Sequence, residues 1–189
     1  MHHLKLALLF ALLAPTLQGC FPIVAAGAGA GVLMAEDRRT GGIYIEDQNI
    51  ELKANSRINE QIKDAVHIEV ISYNRNVLLA GEAPAENLKQ DIETIVRGVP
   101  SVQSITNEII IARPSPLSAR SNDAYLTSKV KARFVDASRF RANHVKVVTE
   151  NGTVFLLGLV KRQEADDATE IARSTSGVLK VVKVFEYLD

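Results

Sequence analysis

The spacing of apolar residues changes twice along the chain. Leu6 to Leu13 is uninterrupted apolar sequence, whereas beyond Gly41 the apolar positions either alternate or recur at three and four. Alternation marks half-buried strands and the longer spacing marks amphipathic helices. The alternating part occurs twice. Residues 70–81, VISYNRNVLLAG, and 147–158, VVTENGTVFLLG, align without a gap, and each reads as strand, tight turn, strand. Asn151-Gly152 is a strong hairpin signal because a type I′ turn needs positive φ at both central residues; Asn74-Arg75 is a weaker version. Gly81 and Gly158 close the hairpins, where a side chain would obstruct a bend or a close backbone approach.

A helix follows each hairpin. Pro84 suits a first turn, Leu88, Ile92, Ile95 and Val96 fall on one face, and Gly98 closes the end. In the second copy Ala165, Ala168, Ile171, Ala172 and Thr175 make a smaller-sided face that stops at Gly177. Last strands are expected over 102–111 and 181–188. Another helix precedes each hairpin, with Leu52, Ser56 and Ile62 in the first copy and Leu126, Val130 and Phe134 in the second. The order helix, hairpin, helix, strand makes an α+β unit, αββαβ, twice over. A crossover into the last strand requires a parallel neighbour, so each three-stranded sheet, packed by two helices, should be mixed.

The second hairpin carries apolar residues on both faces. Val147 faces Leu156 and Thr149 faces Val154 on one side, while Val148 faces Phe155 on the other and Leu157 follows. A sheet with helices on one face normally shows polar residues on the other. Val148, Phe155 and Leu157 are therefore expected to be covered by the first unit or the linker, or to bind a protein partner. The linker, 113–120, is short and stiffened by Pro114 and Pro116, which favours a fixed arrangement of the two units.

Upstream of the repeats, His2, His3 and Lys5 give a positive start, the apolar run follows, and Pro15 precedes Gly19. That is the layout of a secretory signal peptide, and its apolar core is shorter than the roughly 20 residues that span a bilayer. Leu17-Gln18-Gly19-Cys20 resembles the bacterial lipobox, in which the chain is cut before a cysteine whose thiol carries diacylglycerol. Gln18 departs from the small residue commonest there. The competing reading is an uncut signal-anchor helix running on to Ala35, which Pro15, Gln18 and the glycines at 19, 27, 29 and 31 make irregular. Cys20 is the only cysteine, so it has no disulfide partner. Lipidation, with diacylglycerol and an N-acyl chain, gives it a purpose: each buried methylene contributes about 0.8 kcal/mol, and more than one chain anchors a protein stably. The layout then divides as signal peptide 1–19, lipidated flexible segment 20–40, first domain 41–112, linker 113–120 and second domain 121–189.

The V-x-L-x-G-like strands, the two G-V-x-x-V runs at Gly98 and Gly177, and the segments NDAYLTSKV (122–130), TENGTVFLLGLV (149–160) and NEI (107–109) resemble BON domains. Two such domains behind a lipobox are similar to the dual-BON outer-membrane lipoproteins of the DolP type. The resemblance implies a periplasm-facing lipid anchor in the outer membrane, with Phe21 rather than Asp after the cysteine. It also implies binding of anionic phospholipid through the second domain, support of envelope integrity, and no catalytic activity.

Charge fits that expectation. Formal net charge is zero, which argues against nucleic acid as a partner. The first domain holds six basic and eleven acidic residues, the second eleven and nine. In the second, Leu126, Val130 and Phe134 form an inward stripe, and Tyr125, Lys129 and Arg133 run beside it; Lys131, Arg139 and Arg141 add positive charge. A polar-tipped aromatic beside long cations suits a membrane interface. The expected phospholipid-binding set is therefore Tyr125, Leu126, Lys129, Lys131, Arg133, Arg139 and Arg141. Counted back from Leu52, the corresponding first-domain positions are Glu51, Asn55 and Asn59, without ring or charge. Ser, His and acid groupings, a P-loop and metal-ligand spacing are all missing, and His67 and His144 read as partly solvated strand residues. An alternative role is a scaffold that assists outer-membrane protein assembly or attaches to peptidoglycan.

Overall fold

The computed structural model describes residues 37–63 and 66–189; the leader and Cys20 lie outside them. The first half comprises α1 (Gly41–Gln61), β1 (His67–Tyr73), β2 (Asn76–Ala83), α2 (Glu86–Arg97) and a last strand in two pieces, β3 (Ser104–Asn107) and β4 (Ile110–Ile111). The second comprises α3 (Leu117–Ala137), a 3₁₀ turn (Ala142–His144), β5 (Lys146–Glu150), β6 (Thr153–Val160), α4 (Arg162–Arg173) and β7 (Lys180–Tyr187). Helix α3 thus begins inside the segment expected to be linker. In each half the second hairpin strand is central, antiparallel to the first and parallel to the last. The mixed sheet that the crossover demands is present twice.

The last strand of the first half was expected to be continuous. It is interrupted without a slip, since Asn76 pairs with Ser104 and Glu82 with Ile110 at the same offset. The Glu108 amide still donates to the Leu79 carbonyl at 2.8 Å, and Ile109 drops into the core.

Both hairpins have the expected register, Tyr73 opposite Asn76 and Glu150 opposite Thr153. Their central residues all have positive φ: Asn74 52°, Arg75 66°, Asn151 50° and Gly152 70°. For residues other than glycine this region costs roughly 1–2 kcal/mol, and an aspartate in the preceding helix offsets it. Asp47 accepts from the amides of Asn74 (2.8 Å) and Arg75 (2.7 Å) and from Ser72 Oγ (2.6 Å). Asp123 accepts from the amides of Asn151 and Gly152, both at 2.9 Å. Both carboxylates are buried. Hydrogen bonds to a charged group contribute about 1.5–3 kcal/mol each, enough to hold the turns.

These aspartates also set the helix phase. Three residues after each comes the first inward position, giving Ile50, Ala54 and Ile58 in α1 and Leu126, Val130 and Phe134 in α3. The second stripe is as expected; the first is not. Leu52 is 69 % exposed and Ser56 is exposed, because they lie on the far side of a 21-residue helix whose core face starts at Ile50.

Alternation divides each sheet into two apolar faces. Val70, Val77, Leu79 and Ala83 meet α1 and α2, and Val147, Val154, Leu156 and Val160 meet α3 and α4. The opposite faces meet each other: Ile71, Tyr73, Leu78 and Ala80 from the first sheet pack on Phe155, Leu157 and Leu159 from the second, with Val148, Val182 and Val184 around them. The first unit is therefore what covers the second apolar face. The layers run helices, sheet, sheet, helices.

Polar bonds rim this interface. Lys146 Nζ meets Glu51 Oε1 at 3.0 Å, and Asn74 and Asn76 both donate to Glu186. Asp37 to Thr40, expected to be flexible, are instead pinned. Arg38 donates to the Leu159 carbonyl and both Glu164 oxygens at 2.6–2.8 Å, and this bonding lowers the Glu164 carboxyl to about 2. Arg39 pairs with Asp37 and Asp47 and stacks over the Tyr73 ring at 4.1 Å. His144 also departs from expectation. It lies in the 3₁₀ turn, buried, with Nδ1 at 3.4 Å from Glu164; burial and Arg38 hold its pKa down.

Gly81 and Gly158 have the same reason to exist. A Cβ at Gly81, whose φ is 111°, would lie 2.1 Å from the His67 carbonyl oxygen. One at Gly158 would lie 2.4 Å from the His144 carbonyl oxygen. The start of the first hairpin strand in one half, and the 3₁₀ turn leading into it in the other, approach too closely for any side chain. Gly158→Ala is expected to cost about 3 kcal/mol, as overpacking against backbone does, lowering Tm by roughly 6–12 °C; an unchanged melting curve would remove this account.

Candidate membrane-contact site

Helix α3 is amphipathic around its buried stripe, and its neighbour is the loop 174–179 that leads from α4 into β7. Lys129 Nζ donates to the Ser176 carbonyl at 2.9 Å. One turn on, Arg133 Nη1 donates to the Ile171 carbonyl at 2.9 Å and to Thr175 Oγ1 at 2.8 Å. Both cations therefore sit at the C-terminal, negative end of α4. Carbonyls orient a cation without neutralising it, so the positive charge of this edge survives.

Two apolar side chains are exposed on the same two elements, Tyr125 one turn before Lys129 on α3 and Leu179 at the end of the loop 174–179. Tyr125 is 63 % exposed and Leu179 is 81 % exposed. Leu179 is held by its amide, which donates to the Gly152 carbonyl at 2.9 Å, and its side chain covers Gly152, where a Cβ would come within 2.8 Å. Leu126 touches the same loop from inside, within 2.7 Å of where a Gly177 Cβ would stand. Sequence reasoning missed Leu179. The available signal was a leucine at the entry to the last strand, where the first copy has Pro100.

The remaining expected residues divide by surroundings. Leu126 is 3 % exposed and belongs to the core, because it lies on the stripe that faces the sheet; it cannot touch a lipid. Lys131 is exposed on α3. Arg139 is neutralised by Glu170 at 2.8 Å and Asp167 at 3.4 Å, and its pKa is raised, first by the Glu170 bond. Arg141 is exposed beyond the helix. A cleft of about 370 Å³ between α3 and α4 is lined by Arg133, Asp136, Arg139 and Glu170, so its charge is mixed.

With the helix phase set by the aspartates, the first-half counterparts of Tyr125, Lys129 and Arg133 are Asn49, Lys53 and Arg57. They are not Glu51, Asn55 and Asn59. Arg57 Nη1 donates to the Gly98 carbonyl at 2.6 Å, as Arg133 does to the end of α4. The arginine is thus a device both halves share to cap a helix end. What sets the second half apart is Tyr125 in place of Asn49 and Leu179 in place of Pro100.

Residues 46–113 and 122–189 each match the BON domain model. The chain belongs to the BON domain family. The match assigns one domain to each half, and both BON domains have the same helix, hairpin, helix, strand order. Over 175 residues, 92 % of this chain and 91 % of the relative, it is 38 % identical to the outer membrane lipoprotein DolP of Haemophilus influenzae. A 21 kDa hemolysin of Actinobacillus pleuropneumoniae is 34 % identical over 80 % of this chain and 79 % of its own. Osmotically-inducible protein Y of Escherichia coli is 27 % identical over 74 % and 72 %. The chain is a dual-BON-domain, DolP-like protein. Among the described residues, no helix is long and apolar enough to cross a membrane.

Proposed function

We propose that this protein is an outer-membrane lipoprotein, anchored through acyl chains on Cys20 and facing the periplasm, whose second BON domain grips anionic phospholipid and thereby supports the envelope. Its role is binding, not catalysis. The outer-membrane assignment rests on the lipobox-like Leu17 to Cys20 and on the relative named as an outer membrane lipoprotein.

The observation that carries the lipid reading is the pairing of exposed Tyr125 and Leu179 with Lys129 and Arg133, whose charges are met by carbonyls rather than carboxylates. Tyr125 and Leu179 would enter the headgroup boundary while Lys129, Lys131 and Arg133 meet phosphates. Near an anionic surface each cation contributes about 1 kcal/mol, so three give weak attachment alone. A lipid tether raises the local concentration and makes that contact effectively intramolecular. The scaffold alternative loses one support, because the apolar sheet face that a protein partner would need is filled by the other sheet.

Flotation with phosphatidylglycerol and with phosphatidylcholine vesicles tests the lipid contact in a leaderless form carrying Cys20→Ser. Capture by the anionic vesicles alone is expected, reduced at least tenfold by Tyr125→Ala, Lys129→Gln and Leu179→Ala together. Arg133 is kept because it caps α4, and melting curves should stay within about 0.5 kcal/mol of the parent. Undiminished capture by the triple variant, or equal capture by neutral vesicles, would overturn the reading. The anchor is read separately, from the mass of the N-terminal peptide of membrane-extracted protein.

A further inference from the structure

Away from the lipid-facing edge, the two BON domains bring three potential metal ligands together where β1 meets the end of β5. His67 and Glu69 come from the first domain and Glu150 from the second, with one ligand atom of each lying within 4.8 Å of the others. His67 Nε2 and Glu150 Oε2 are 3.4 Å apart, on side chains only 15 % and 11 % exposed. Both atoms are shut off from solvent, and neither makes a hydrogen bond to the described residues.

That spacing has a chemical meaning. A charge-assisted hydrogen bond between these groups would close to about 2.7–2.9 Å. Two ligands at about 2.0–2.1 Å from a tetrahedral zinc ion stand about 3.3–3.4 Å apart along the tetrahedron's edge. Glu69 is exposed, so it can turn towards the pair and keeps the position open to solvent. We propose that His67, Glu69 and Glu150 form a zinc site that ties the first BON domain to the second, with water completing the coordination.

One imidazole nitrogen and two carboxylates make a borderline donor set that suits zinc. Calcium and magnesium prefer six or more oxygens. The surroundings favour a cation as well. Glu69, Asp123 and Glu82 add negative charge around Glu150, and Arg120 opposes it. A divalent ion would relieve this concentration of negative charge. The ion would span the domain boundary, because Glu150 ends the strand that enters the Asn151-Gly152 turn while His67 begins β1.

Zinc titration by calorimetry tests the site, using the leaderless Cys20→Ser form, which carries neither the leader histidines nor the thiol. One equivalent should bind with a Kd in the micromolar range or tighter, and Kd should rise at least tenfold in His67→Gln and in Glu150→Gln. Magnesium at the same concentrations should not saturate the protein. Because Glu150 lies in the interface, circular dichroism without metal establishes that each variant is folded. An independent reading needs no substitution at the site: zinc should shift the His67 ring-nitrogen resonances. Absence of saturable uptake, uptake that survives both variants, or His67 resonances that zinc leaves unmoved would each overturn the proposal.

Discussion

The structure depends on a sheet that is apolar on both faces. In each BON domain the central strand sends alternate side chains to opposite sides, and the large apolar ones in β2 and β6, such as Leu78, Leu79, Phe155 and Leu156, cannot be left in water at small cost. Helices cover one face of each sheet, and the other sheet covers the second. Full burial of residues such as Leu78, Phe155 and Leu157 stabilises the pairing by about 1.5–3 kcal/mol each. Both helical layers consequently point outward, and α3 is presented on an outer surface of the paired unit. The short connection between domains and the pinned residues Arg38 and Arg39 accompany that geometry.

Duplication explains the recurring details. Asp47 and Asp123 hold the two hairpin turns, Gly81 and Gly158 admit the carbonyls of His67 and His144, and Arg57 and Arg133 cap the helix ends. Features shared by both copies therefore belong to the fold. Differences are better pointers to function, and on the α3 edge those are Tyr125 and Leu179. The lysine and arginine beside them contribute charge to that edge while also serving the structure. His67 and His144 show the same divergence: one faces a carboxylate across the domain boundary, the other a carboxylate in its own domain.

Much of this was legible in the residues. Hairpin register, the I′ turns, the crossover and the parallel last strand follow from local spacing and turn chemistry, and the surplus apolar face of the second hairpin pointed to a covering layer. Long-range effects escaped. The phase of α1 is set by Asp47 reaching Asn74 and Arg75, a contact 27–28 residues away in sequence, and the prominent Leu52 misled the helical reading towards the solvent face. That error produced the wrong counterparts for Tyr125, Lys129 and Arg133, and with them a contrast in charge that those positions do not have. A repeated Asp three residues before the first inward position was the signal that would have corrected it. The burial of His144 and the meeting of His67 with Glu150 arise from packing between strands that share no local pattern.

Scanning calorimetry of residues 37–189 tests most directly whether the back-to-back sheets make the two BON domains one body. Continuous sheet-to-sheet packing predicts a single transition whose calorimetric and van't Hoff enthalpies agree. Two separable transitions, each retained when its domain is melted alone, would contradict it.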